Sequence, residues 1–169
     1  FPLSEKREDT FIAGLSMGGY GAIRNGLKYH KTFSHIAGLS SGIMLEDILN
    51  STNEPVMPFM RRSYYESVFG DLSQLEGSDM DYKALICKLK EEKADIPKIY
   101  LCCGTEDFLL KYNRDYRDFL TEKGVAVTYE EGPGAHEWDF WDTYIKKVME
   151  WLPLDEGSKG LNSGNVGVE

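Results

Sequence analysis

The sequence predicts an α/β domain, a parallel sheet with helices on both faces, and three observations carry the prediction. Four short runs are apolar almost throughout: TFIAGL (10–15), SHIAGLS (34–40), KIYLCCG (98–104) and VAVTYEEG (125–132). Strands of that kind belong to parallel sheets covered on both sides. Stretches with helical periodicity separate the runs, and strand–helix alternation implies a sheet closed by right-handed crossovers. Composition agrees: 169 residues, 41% hydrophobic and 28% charged, suit one globular domain with a real core.

The first run is rich in strand formers. In the following MGGYGAIRNGLKYH, Tyr20, Ile23 and Leu27 stand at i, i+3 and i+7, the inner face of an amphipathic helix. After the second run the rhythm breaks. Residues 41–96 carry Met44, Met57, Phe59, Met60, Tyr64, Tyr65 and Phe69, with Pro55 and Pro58. This is too long for a plain connection and reads as an inserted cap of short helices. The third run is bracketed by Pro97 and Gly104. Leu109, Tyr112, Tyr116, Phe119 and Leu120 then recur at helical steps across 108–120. Beyond the fourth run, Trp138, Trp141, Ile145, Val148 and Leu152 do the same across 138–152. From 153 to 169 the chain is rich in Gly and Ser, lacks periodicity and reads as a flexible tail.

A net charge of −9 argues against a nucleic-acid binder, which would carry a basic patch or stripe, and against docking on anionic membranes. No apolar run approaches the roughly 18 residues of a membrane span. Cys87, Cys102 and Cys103 are odd in number and irregular in spacing, so they form no disulfide framework. Cys102 and Cys103 act as small buried hydrophobes, which favours reduced thiols and a cytoplasmic protein. No histidine lies near them in sequence to suggest zinc.

Chemistry enters at Gly14-Leu15-Ser16-Met17-Gly18, a G-x-S-x-G stretch between a strand and a helix. On such a strained turn the serine hydroxyl projects above the sheet. Glycines two before and two after remove colliding side chains, and Gly19 and Gly21 let the helix approach the sheet. The backbone N–H of Met17, at the helix start, is placed to bind an oxyanion. A phosphate loop would need Lys-Ser/Thr where Tyr20-Gly21 stand, and a dinucleotide fingerprint needs a third glycine where Arg24 stands.

A serine nucleophile needs a base that a third group orients. In α/β-hydrolases the chain order is serine, acid, histidine. Run 98–104 leads into GTEDFL, offering Glu106 and Asp107, with Asp107 preferred. Either could instead cap the next helix. Run 125–132 leads into GPGAHEWDFW, offering His136. His30, near a helix end, and His35, at a strand start, read as surface or filler residues. Asp139 and Asp142 read as solvated positions on the last helix.

Together FIAGLSMGGYGAIRNGLKY, LCCGTEDFL and EEGPGAHEWDFWD resemble, across residues 1–152, the "Putative esterase" family of α/β-hydrolases. That family includes tributyrin, acetyl and feruloyl esterases, S-formylglutathione hydrolase and mycolyltransferase antigens. The resemblance implies the C-terminal portion of the α/β-hydrolase fold, with Ser16 as nucleophile, His136 as general base and Asp107 as orienting acid. It implies a serine carboxylesterase cleaving short-chain acyl or aryl esters through an acyl-enzyme, with no metal or cofactor. The cap (41–96) would line an apolar pocket, and Arg61-Arg62 could meet an acidic substrate group. An S-formylglutathione hydrolase, an acyltransferase, or an inert fragment that serves only as an interaction partner are the alternatives. Family members carry further strands before the serine, with a second oxyanion donor. The chain is therefore expected to pair with an N-terminal part of the same protein as a second chain. A homo-oligomer is a further option. A four-stranded sheet would otherwise leave the nucleophile strand as an apolar edge.

Overall fold

The computed structural model describes residues 4–55 and 57–154. The four apolar runs form one parallel sheet: β1 (Phe11–Leu15), β2 (His35–Leu39), β3 (Lys98–Gly104) and β4 (Val127–Gly132). Spatial order follows chain order. Gly14 faces Gly38, Gly38 faces Leu101, and the β3–β4 ladder runs from Ile99–Val127 to Gly104–Gly132. The helices are α1 (Met17–Lys28), α2 (Leu45–Leu49), α3 (Arg62–Phe69), α4 (Tyr82–Glu91), α5 (Leu110–Glu122) and α6 (Trp138–Trp151). Single 3₁₀ turns stand at Arg7–Asp9, Pro58–Met60 and Leu72–Gln74. Among the described residues no helix is long and apolar enough to cross a membrane.

Side-chain alternation along the strands builds a core on each face. Ile36, Ile99 and Leu101 meet Ile23 and Leu27 of α1, Ile86 and Leu89 of α4, and Tyr116 and Leu120 of α5. Ala37, Leu39, Tyr100 and Cys102 point the other way, to Phe140, Trp141, Tyr144 and Val148 of α6. Each fully buried side chain of this size contributes about 1.5–3 kcal/mol of apolar transfer energy. β1 pairs only with β2 among the described residues and is half-buried, with Ala13 exposed.

Segment 41–96 divides. Asp81 caps α4, its carboxylate accepting from the Lys83 and Ala84 N–H groups. Tyr82, Ile86 and Leu89 then enter the main core, so α4 is the helix of the β2–β3 crossover. Upstream, Tyr65 is buried and Met44, Tyr64 and Phe69 pack on that core, whereas Met57, Phe59 and Met60 are exposed. Arg61 donates to the Pro55 carbonyl and Arg62 pairs with Glu66, so both arginines brace the segment itself. The tail expected from 153 lies outside the described residues beyond Leu154.

The glycines of α1 differ in part from expectation. Gly26 makes the close helix–sheet contact: a Cβ there would sit 2.3 Å from Ile36 Cγ1. Gly19 is equally tight, 2.5 Å from Ser41 Oγ, in the loop after β2. Gly18 and Gly21 have nothing within 4 Å among the described residues. The cause is helical phase: Gly19 and Gly26 lie seven residues apart on one face, while Gly21 is turned about 200° from Gly19.

Candidate active site

Ser16 sits between β1 and α1 at φ 54 and ψ −121, a conformation that costs a non-glycine residue about 1–3 kcal/mol. Its neighbours hold it there. The Ser16 N–H donates to the Leu39 carbonyl at 2.9 Å. The Ser16 carbonyl accepts from the N–H groups of Gly19, Tyr20 and Gly42 at 3.0, 3.2 and 2.8 Å. A Cβ on Gly14 would lie 2.1 Å from the Gly18 carbonyl oxygen, so that glycine is required by backbone approach. Met17 is the first residue of α1, and its N–H has no acceptor within the helix.

The other two predicted residues converge on this serine. His136 Nε2 lies 2.9 Å from Ser16 Oγ, and His136 Nδ1 lies 2.9 Å from Asp107 Oδ2. Asp107 has a fully buried side chain, and its second oxygen accepts the Leu109 N–H at 2.8 Å. It therefore both faces the histidine and caps the turn into α5. Glu106, the adjacent candidate, points elsewhere: it is exposed and accepts the Gly134 N–H at 2.7 Å. That bond, helped by the Thr105 hydroxyl, holds its carboxyl below the usual carboxylate range.

His136 is flanked by the rings of Trp141 and Phe108, each with its centroid 4.8 Å away. Trp141 is itself tied down, its Nε1–H donating to Ser40 Oγ at 3.1 Å. Burial, with the Asp107 carboxylate adding, pushes the nearby Cys103 thiol up to about 12, so it stays protonated. His30 and His35 are remote from the site. His35 is buried between Phe11 and Trp151, at centroid distances of 5.2 and 5.0 Å, and accords with the filler role. Three exposed apolar side chains adjoin the site: Met17 follows the serine, Phe108 packs on His136 and Trp138 packs on Trp141, and they are 62%, 67% and 72% exposed. The Tyr64 hydroxyl reaches Met17 Sδ at 3.9 Å, which brings α3 to the edge of the site.

Sequence reasoning missed Asn113. It is fully buried on α5, its Oδ1 accepting the Ser41 N–H at 3.1 Å. Its Nδ2 donates to the carbonyls of Ser41 and Leu109 at 3.0 and 2.9 Å. It thus ties the Asp107 turn to the loop whose Gly42 N–H supports Ser16. The signal was present: Leu109, Asn113, Tyr116 and Leu120 form one helical stripe, and a polar residue in a core stripe asks for partners.

A nucleophile, a base within hydrogen-bond reach and a buried carboxylate orienting that base make the arrangement used for acyl transfer. Comparison with known proteins gives the family. The model of the "Putative esterase" family matches residues 1–152. An acetyl esterase of Caldicellulosiruptor saccharolyticus is 52% identical over 152 residues, 90% of this chain and 57% of that protein. The S-formylglutathione hydrolase FrmB of Staphylococcus aureus superposes with a TM-score of 0.76 at 36% identity, covering 90% of this chain and 57% of that one. FphF, a fluorophosphonate-binding serine hydrolase of the same organism, gives 0.79 at 35%, covering 92% and 58%. The chain thus spans a little over half the length of these relatives. With the family model matched over 1–152 and the serine, acid and histidine in family order on a parallel α/β sheet, the chain belongs to the "Putative esterase" family.

Proposed function

We propose that the protein carrying this chain is a serine carboxylesterase acting on short-chain acyl or aryl esters. The observation that carries the reading is His136, bridging Ser16 Oγ and Asp107 Oδ2 at 2.9 Å on each side. Ser16 Oγ bonds to the ester carbonyl carbon as its proton passes to His136 Nε2, and Asp107 steadies the imidazolium. The carbonyl electron pair moves onto oxygen, which the Met17 N–H receives. His136 returns the proton to the departing alkoxide as the C–O bond breaks, leaving the acyl group on Ser16. A water then gives its proton to His136 and attacks the acyl carbon. The acid leaves, and Ser16 recovers its proton.

The likeness to an acetyl esterase supports a short acyl group, and the exposed Met17, Phe108 and Trp138 suit an apolar or aromatic partner beside it. The FrmB likeness favours a second reading, an S-formyl thioester cleaved by the same steps. We further infer that an N-terminal part of the same protein completes the site. It would pair with β1 and bring a second oxyanion donor, a group whose loss costs about 10²–10³ in rate. Segment 41–81 then caps the pocket. The three free thiols suit a cytoplasmic setting.

A fluorophosphonate probe with mass mapping on the intact protein tests the reading. We expect an adduct on Ser16 that is absent from Ser16→Ala, together with hydrolysis of p-nitrophenyl acetate that the same change removes. An unlabelled Ser16, or full activity in Ser16→Ala, refutes the assignment.

A further inference from the structure

Glu106 does not touch His136, yet it grips the loop that carries it. Its own N–H donates to the Gly134 carbonyl at 3.1 Å, and its Oε2 accepts the Gly134 N–H at 2.7 Å. The paired strands end with Gly104 facing Gly132, and one more bond follows, from the Thr105 N–H to the Gly132 carbonyl at 2.8 Å. Past that point Glu106 supplies, from one residue, both the donor and the acceptor that a neighbouring strand would offer. Gly134 stands at φ +133, where side-chain-bearing residues rarely go. The same residue is pressed against β3: a Cβ on Gly104 would lie 2.1 Å from its carbonyl oxygen.

We propose that Glu106 is a positioning residue: its two-way hydrogen bonding with Gly134 seats the loop so that His136, two residues on, reaches Ser16 and Asp107 together. The proposal rests on the esterase reading for its effect on turnover, and on geometry alone for its effect on the loop. The bond is charge-assisted and short, the stronger kind of hydrogen bond. Its leverage comes from the chemistry it serves, since misplacing a catalytic group by about 1 Å costs up to about 10²-fold. Other holds remain when it is cut. Ala135 N–H still donates to Glu137 Oε1 at 3.0 Å, and Phe108 and Trp141 still flank the imidazole. The effect is therefore partial. Glu106→Ala lowers kcat about 3- to 10-fold and leaves KM within about twofold.

The test compares Glu106→Ala and Glu106→Gln in the intact protein by p-nitrophenyl acetate kinetics and by amide hydrogen exchange across 132–137. Alanine should lower kcat and speed exchange at Gly134. Glutamine keeps a carbonyl oxygen for the Gly134 N–H and should restore most of both. Unchanged kcat and exchange in the alanine variant overturn the proposal, as does a glutamine variant no better than alanine in either measure. Exchange is read without turnover. A protein inactive on every ester, which would defeat the esterase reading, still reports whether Glu106 holds the loop.

Discussion

Replacing Asn113 by leucine is the most searching perturbation of the framework. The two side chains are close in size, so the change removes hydrogen bonds with little cavity or crowding. Three bonds are lost, at 3.1, 3.0 and 2.9 Å, but they do not count equally. The Leu109 carbonyl keeps its helical bond from the Asn113 N–H at 3.1 Å, which the substitution retains. The Ser41 carbonyl likewise keeps the Ile43 N–H at 2.9 Å, so the loss falls on the Ser41 N–H, in a residue with no exposed surface. A buried backbone donor left without a partner costs about 1–3 kcal/mol, and that is the expected loss. Urea unfolding of the intact protein, followed by tryptophan fluorescence, measures the change at constant m. Because Ser41 adjoins Gly42, whose N–H supports the Ser16 carbonyl, fluorophosphonate labelling at Ser16 should slow as well. A loss below about 1 kcal/mol would show that the Ser41 N–H finds another partner and would refute the idea of Asn113 as the tie.

Three further outcomes follow. Tyr116 presents a buried hydroxyl with no partner among the described residues, so Tyr116→Phe should raise stability by about 1 kcal/mol or more; a loss on urea unfolding would reveal a partner. Gly21→Ala meets open space and gains about 0.8–1 kcal/mol of helix propensity, whereas Gly26→Ala drives a methyl into Ile36 and should lose about 1–2 kcal/mol net. Melting curves of equal sign would contradict the phase assigned to α1. Burial, with Lys98 and Arg7 adding, lowers the His35 pKa below 6.5, so between its folded and unfolded values the unfolded chain binds more protons. Stability is then full above about pH 7 and falls as pH drops through about 6.5. His35→Phe, which keeps the ring contacts to Phe11 and Trp151, should flatten that slope, and an undiminished slope in urea midpoints would place its origin elsewhere.

What could be read from the sequence follows the range of each signal. The strands were legible because Pro97, Gly104 and the apolar runs are local marks, and the observed bounds fall within a residue or two of them. The serine and the histidine were legible because each closes a run in a fixed order. Choosing between Glu106 and Asp107 needed the path of the chain, since adjacent side chains diverge and only the turn after β3 decides which one points inward. Gly21 was assigned to the helix–sheet contact and Gly26 overlooked because a glycine count carries no helical phase. The α4 stripe of Tyr82, Ile86 and Leu89 was present but lost among the Met and aromatic residues before it, so a crossover helix was absorbed into the cap.

The oxyanion contact proposed for position 17 comes from a backbone N–H, which every residue except proline carries. The side chain there is 62% exposed and touches the Tyr64 hydroxyl. Chemistry and selectivity are thereby uncoupled at a single position. A library randomising residue 17 can reshape what lies beside the nucleophile while the group that meets the developing charge is inherited unchanged.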